Sequence, residues 1–190
     1  MSGTHPVLAQ VQEAESASVN TTFLNDVLRG LSQPQKSLSS KYFYDEAGDH
    51  LFQRIMRCDD YYLTRCEMEV FREKANELVS ELNIDGAEFD LVELGAGDGI
   101  KTRHLLRYLS EANADFRYLP VDISGHILDV LCAGIQQNIS GIDIHPFEGD
   151  YFSALGEIDR FSQRRKVVLF LGSNIGNMPI EDCHTFCLRL

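Results

Sequence analysis

The amino-acid sequence predicts an α/β fold, a parallel sheet with helical crossovers, entered through an aromatic-rich helical cap. Three observations predict it. From residue 89 onward, short apolar runs alternate with helix-patterned stretches, the order that gives parallel strands joined by right-handed crossovers. One run, VVLFL at 167–171, is almost continuously apolar, as expected for a strand covered on both faces. A glycine-rich loop, VELGAGDGIKT at 92–102, stands between the first run and a helical stretch, the usual position of a ligand-binding loop in such sheets.

Residues 1–20 are polar and read as a frayed tail. Phe23, Val27, Leu28 and Leu31 form one helical stripe, ended by Gly30 and Pro34. The next stretch is dense in aromatics: Tyr42, Phe43, Tyr44, Phe52, Tyr61, Tyr62 and Phe71. Within it Leu51, Phe52, Ile55 and Met56 suggest a short amphipathic helix. A second helix is expected from Arg65 to about Leu82, with Thr64 as its cap and Glu67 completing a capping box. Residues 21–85 are therefore read as the cap, and 86–190 as a partial Rossmann-like domain.

In that second part FDLVEL is the first strand and residues 101–110 a helix. RYLPVD is the second strand and HILDVLCAGIQQN the next helix. IDIHPFEGD reads as a third strand with its exit loop, KVVLFLG as a fourth, and a final helix is expected to begin at Pro179. No internal repeat or low-complexity segment interrupts the pattern.

With 190 residues and 44% hydrophobic content, the chain can build one real core. Lys and Arg total 17 against 29 Asp and Glu, a net charge of −12. An acidic body is repelled by duplex nucleic acid and by anionic membranes, so neither is expected as a partner. No apolar run approaches the roughly 18 residues of a spanning helix, and the N-terminus lacks a secretory pattern. A cytoplasmic protein handling a small molecule is the expectation. The cysteines, Cys58, Cys66, Cys132, Cys183 and Cys187, are odd in number and fit no disulfide framework, which points to reduced thiols. Cys183, His184 and Cys187 lie close together, yet nothing nearby completes a closed zinc site, and no metal is expected. His104, His126 and His145 show no ligand spacing.

The glycine loop carries the functional argument. Gly95, Gly97 and Gly99 follow the first strand as G-x-G-x-G, not the G-x-G-x-x-G of dinucleotide sites. Glycine permits positive φ and close approach of a ligand to the backbone. Asp98 inside the loop is an awkward neighbour for a pyrophosphate, and Glu93 just before it suits a ligand with a cationic part. Asp122, ending the second strand, can accept both hydroxyls of a ribose, and Asp150 follows the third. This acid-flanked set suits S-adenosylmethionine, which has an adenosine and a sulfonium but no phosphate.

Six ordered blocks sharpen the reading: SKYFYDEAGDHLF at 40–52, DDYYLTRCE at 59–67, VELGAGDGIKT at 92–102, YLPVDIS at 118–124, EGDYF at 148–152 and LFLGSNIGNM at 169–178. From about Phe23 to its last residue the sequence resembles the histidine-specific, S-adenosylmethionine-dependent methyltransferases of ergothioneine biosynthesis. The resemblance implies a class I methyltransferase sheet, with about four of some seven strands present in this chain. It implies cofactor contacts by Gly95, Gly97 and Lys101, a ribose acid at Asp122, and an adenine pair at Asp150 and Tyr151. It places Asn177 at the head group of a histidine-like amino acid and Tyr61 or Tyr62 at the same substrate. No side chain is implied as a covalent or acid–base catalyst. The expected reaction is an in-line methyl transfer to the α-amino nitrogen of L-histidine.

Three functional readings stay open at this level: the enzyme or a piece of it, a non-catalytic adenosylmethionine-binding module, and a methyltransferase for another small amine. The resemblance implies that further strands and an inserted substrate domain follow elsewhere in the family. VVLFL would then offer an open sheet edge and a possible homodimer contact.

Overall fold

The computed structural model describes residue 21 and residues 23–82, 86–178 and 180–190. The tail expected over 1–20 and the helix start at Pro179 lie outside them. The chain divides into two compact units, Met1–Tyr42 and Phe43–Leu190. Residues 43–82 thus share a unit with the sheet.

In the first unit, helix α1 covers residues 23–32. Gly30 does not end it. The returning chain crosses the helix at Gly30, where a Cβ would stand 2.1 Å from the Ser37 carbonyl oxygen. Asp26 on α1 accepts the Tyr42 hydroxyl at 2.7 Å and pairs with Lys41 at 2.6 Å, while the Phe23 and Tyr42 rings meet edge to face. The apolar stripe is only partly used: Phe23, Leu28 and Leu31 are exposed.

The second unit opens with α2 (Glu46–Ile55), capped by Asp45, whose side chain accepts from the Gly48 N–H at 2.8 Å. The long helix expected over 65–82 is two helices, α3 (Leu63–Glu73) and α4 (Ala75–Glu81), broken at Lys74. The expected capping box does not form. Thr64 is buried inside the first turn of α3 and makes no cap hydrogen bond, and Glu67 is engaged elsewhere.

The sheet is wholly parallel, in the order β3-β2-β1-β5. Its members are β1 (Phe89–Leu94), β2 (Phe116–Asp122), β3 (Asp143–Ile144), β4 (Phe147–Glu148) and β5 (Arg165–Phe170). The expected third strand is split into β3 and β4, both paired to β2 in one continuous register: Tyr118 opposite Ile144, then Val121 opposite Phe147. Pro146 causes the split, because it has no N–H to give the ladder. Crossovers are α5 (Arg103–Glu111), α6 (Gly125–Asn138) and α7 (Tyr151–Phe161), and α8 (Ile180–Cys187) follows β5.

Alternation along the strands divides the core into two layers. Leu91 and Tyr118 face Phe71, Leu105, Leu109 and Leu131 on one side. Val92, Leu94 and Leu119 face Ala154, Ile158 and Phe186 on the other. β1 is buried throughout, as an inner strand should be. Among the described residues β5 ends the sheet path, as the open-edge expectation has it, but the expected cover on both faces is corrected: of its residues only Val167 is fully buried. Its apolar run is that of a half-covered edge. Among the described residues, no helix is long and apolar enough to cross a membrane. All five cysteines are free thiols.

Candidate functional site

The carboxyl ends of β1, β2 and β5 converge on the glycine loop. Both N–H groups at the strand exit, of Gly95 and Ala96, donate to the Val121 carbonyl at 2.9 and 3.0 Å, tying the loop to β2. Gly95 and Gly97 have φ of 72° and 58°, the left-handed region that glycine enters without steric cost. Their roles differ. A Cβ on Gly95 would lie 2.6 Å from Asn174 Nδ2 and 3.0 Å from the Tyr151 hydroxyl, whereas nothing stands within 4 Å of one on Gly97. The loop is packed at its first glycine and open at its second.

Asp122 is the hinge of the arrangement. One carboxylate oxygen accepts the Gly97 N–H at 2.9 Å and the other the Ser124 N–H at 3.1 Å. Burial raises its pKa above the ordinary carboxylate value, a shift opposed by those backbone donors and reinforced by nearby Asp49. Ser124 caps α6 by accepting from the Ile127 N–H at 3.2 Å, and donates its hydroxyl to buried Asp49 on α2 at 2.6 Å. Helix α2 is thus pinned to the carboxyl end of β2.

Below the loop, Glu93 is buried, and the hydroxyls of Thr102 (2.6 Å) and Tyr118 both donate to it. Burial pushes its pKa up to about 7 against those two donors. On the β5 side, Glu67 accepts the Gly172 N–H at 2.6 Å and pairs with Lys101 at 2.5 Å. Lys101 is mostly covered, and a Cβ on Gly172 would lie 3.8 Å from both its Nζ and Asn174 Nδ2.

The structure brings together Gly95, Gly97, Asp122 and Tyr151, with Lys101 joined through Gly172. Asp150 caps α7: one carboxylate oxygen accepts from the Phe152 and Ser153 N–H groups, the other from the Ser153 hydroxyl. Tyr151 opens α7 with its hydroxyl over Gly95. Burial lifts its pKa far above the ordinary phenol value, and the charge of Asp122 adds to the shift, so it stays a neutral hydrogen-bonding group. Of the tyrosine pair, Tyr61 is half-buried against Phe52, with ring centres 6.1 Å apart, while Tyr62 is 61% exposed. Asn177 ends a 3-10 turn over Asn174–Asn177 and is exposed, one turn from the loop.

Three participants went unassigned in the sequence reading. Asn174 lies against Gly95, Glu67 bridges Lys101 and Gly172, and Tyr44 feels the charges of Asp122 and Tyr61. Burial raises the Tyr44 phenol pKa first, and those two neighbours add to it. Asn174 sits inside the LFLGSNIGNM block, and its signal there was indistinguishable from that of Asn177.

The sequence profile of the family described as histidine-specific methyltransferase, S-adenosylmethionine-dependent, matches residues 23–190. A histidine N-alpha-methyltransferase of Mycobacterium tuberculosis is 40% identical over 80% of this chain and 46% of its own length. One from Mycolicibacterium smegmatis is 37% identical over 90% of this chain and 51% of its own. Ergothioneine biosynthesis protein 1 of Neurospora crassa is 30% identical over 80% of this chain and 17% of its own. The chain spans about half the length of the two mycobacterial relatives. Among solved structures, magnesium protoporphyrin IX methyltransferase from Synechocystis, with S-adenosylmethionine bound, superposes with a TM-score of 0.52 at 17% identity, over 80% of this chain and 71% of that one. That likeness establishes a class I methyltransferase fold.

Proposed function

This chain belongs to the histidine-specific, S-adenosylmethionine-dependent methyltransferase family, and from that premise we propose that it binds S-adenosylmethionine at the glycine loop and serves methylation of the α-amino nitrogen of histidine. One observation carries the reading: a mostly buried carboxylate at the exit of β2, Asp122, clasped by the N–H of Gly97. A charge at such a position is costly without a partner, and its two oxygens keep lone pairs beyond the backbone bonds they accept. The open space over Gly97 supports a backbone cradle for a ligand. Donors and acceptors fit a nucleoside with hydroxyls.

S-adenosylmethionine would supply a sulfonium-bound methyl, transferred in line to a neutral amine. The chain's part is then to bind and orient. Asp122 accepts the ribose hydroxyls, Gly95 and Gly97 admit the ligand to the backbone, and Asp150 with Tyr151 flanks the adenine. Lys101, held by Glu67, borders the amino-acid end. Asn177 and one of the tyrosine pair are assigned to the histidine, and the half-buried packing of Tyr61 against Phe52 favours it over exposed Tyr62. Aromatic rings at that end favour a methylated ammonium through cation–π attraction. Precise holding of nitrogen, carbon and sulfur accounts for most of the acceleration in such a transfer.

Calorimetric titration with S-adenosylmethionine tests the cofactor reading. The wild-type chain is expected to bind, and Asp122→Asn, which keeps the shape, to bind at least about tenfold more weakly, a loss of about 1.4 kcal/mol. Unchanged affinity in that variant would overturn the assignment. Mass spectrometry of histidine incubated with the chain and cofactor reads the acceptor directly.

A further inference from the structure

One cluster lies outside the cofactor site. Glu46 and His50 are four residues apart on α2 and so share a face. His126 is the second residue of α6. One ligating atom from each lies within 4.8 Å of the other two, and all three side chains are exposed. The two imidazole rings stand 6.2 Å apart, tilted by 65°. Imidazoles sharing one ion at ordinary metal–nitrogen distances have ring centres about 5 Å apart. Closing that difference needs only rotation of exposed side chains.

The backbone beneath is already fixed. Asp49, the residue before His50, accepts the Ser124 hydroxyl at 2.6 Å, two residues before His126. That bond holds the two helices in register, so the histidines meet without refolding. No hydrogen bond or ion pair to another described residue engages the side chains of Glu46, His50 or His126. Carboxylates add negative potential nearby: Asp49, and Glu148, whose oxygen lies 2.5 Å from where a Cβ on Gly125 would stand.

We propose that Glu46, His50 and His126 form a surface site for a divalent transition ion, with two imidazole nitrogens and one carboxylate oxygen as ligands and water completing the shell. That ligand set suits zinc, nickel or copper and disfavours calcium and magnesium, which take oxygen shells. The ion would fasten α2 to the start of α6, and so brace the β2–α6 turn that carries Asp122 and Ser124. Sequence spacing could not expose it, because the histidines lie far apart along the chain.

The test is calorimetric titration of the full chain with zinc chloride, and separately nickel chloride, in a buffer free of histidine and chelators. One equivalent is expected to bind, with affinity lowered at least about tenfold in His126→Ala and in His50→Ala. Bound ion should also raise the thermal midpoint of the wild type and not of His50→Ala/His126→Ala. Circular dichroism confirms that these surface variants fold. Nickel bound through imidazole shows no intense thiolate charge-transfer absorption. Absence of binding, equal binding by the double variant, or a thiolate band would each overturn the site, the last assigning the ion to the free cysteines.

Discussion

Glu93 shows how one buried residue ties stability to pH. Its ordinary carboxyl value of 4.5 rises to about 7 in the folded chain, chiefly through burial, against hydrogen bonds from Thr102 and Tyr118 and the charge of Lys101. Between these values the folded state holds a proton that the unfolded state has released. The contribution of Glu93 to stability is therefore most favourable below about 4.5, falls as pH rises toward 7, and carries the full cost above that. The effect reaches up to about 3 kcal/mol. Glu93→Gln should flatten this part of the stability profile, read as the difference in urea midpoint between mildly acidic and mildly alkaline buffer. An unchanged slope would remove Glu93 as its source. At Gly95, alanine would enter positive φ, costing about 1–2 kcal/mol, and its methyl would press on Asn174 and Tyr151. Gly95→Ala is expected to lose cofactor binding, whereas Gly97→Ala, open around its Cβ, should bear mainly the conformational cost. Comparing the two by calorimetry separates packing from strain. The glycines and Asp122 were legible in sequence because their types answer a local backbone demand. Glu67 and Asn174 were not, since their roles arise from partners more than thirty or seventy residues away, which spacing cannot reveal.

At the scale of elements, the contact between α2 and α6 decides whether the segment before the sheet shapes the site. Ser124 serves both helices: it accepts from the first turn of α6 and donates to Asp49. Ser124→Ala removes a helix cap and leaves a buried carboxylate short of a donor, so a loss of about 2–3 kcal/mol is expected in urea unfolding. Ser124→Thr, which retains the hydroxyl, should recover most of it. The pattern of strands and crossovers was readable because apolar runs and helical stripes have different periods. Three elements escaped for identifiable reasons. Lys74 breaks one predicted helix into α3 and α4 without any proline or glycine to announce it. Pro146 divides the third strand and was visible, but its register-preserving effect was not. α7 went unassigned although Asp150 caps it and Ala154 and Ile158 mark its buried stripe. Asp150, which the family resemblance assigns to the adenine, is the N-cap of this helix.

For the whole molecule, the balance between an open edge and a large net charge sets its behaviour in solution. β5 pairs with β1 alone among the described residues, and Val168, Leu169 and Phe170 are only half-covered. Unpaired ladder groups beside apolar side chains are a template for a second strand. Opposing this is the charge of −12, which makes two copies repel at low ionic strength. Lys166, on the same strand and 3.4 Å from Asp159, is the one cation within β5 besides Arg165. Salt shortens the Debye length from about 30 Å at 0.01 M to about 8 Å at 0.15 M, weakening the repulsion without touching backbone pairing or apolar burial. We propose that the 190-residue chain forms a homodimer through this edge, and that association strengthens as salt is added. Sedimentation velocity over a range of protein and salt concentrations would read it. A weight-average mass that rises with both supports pairing at β5, whereas a monomer at every ionic strength would show that the edge is protected by its own side chains. A mass that falls as salt rises would assign the contact to charge pairs instead.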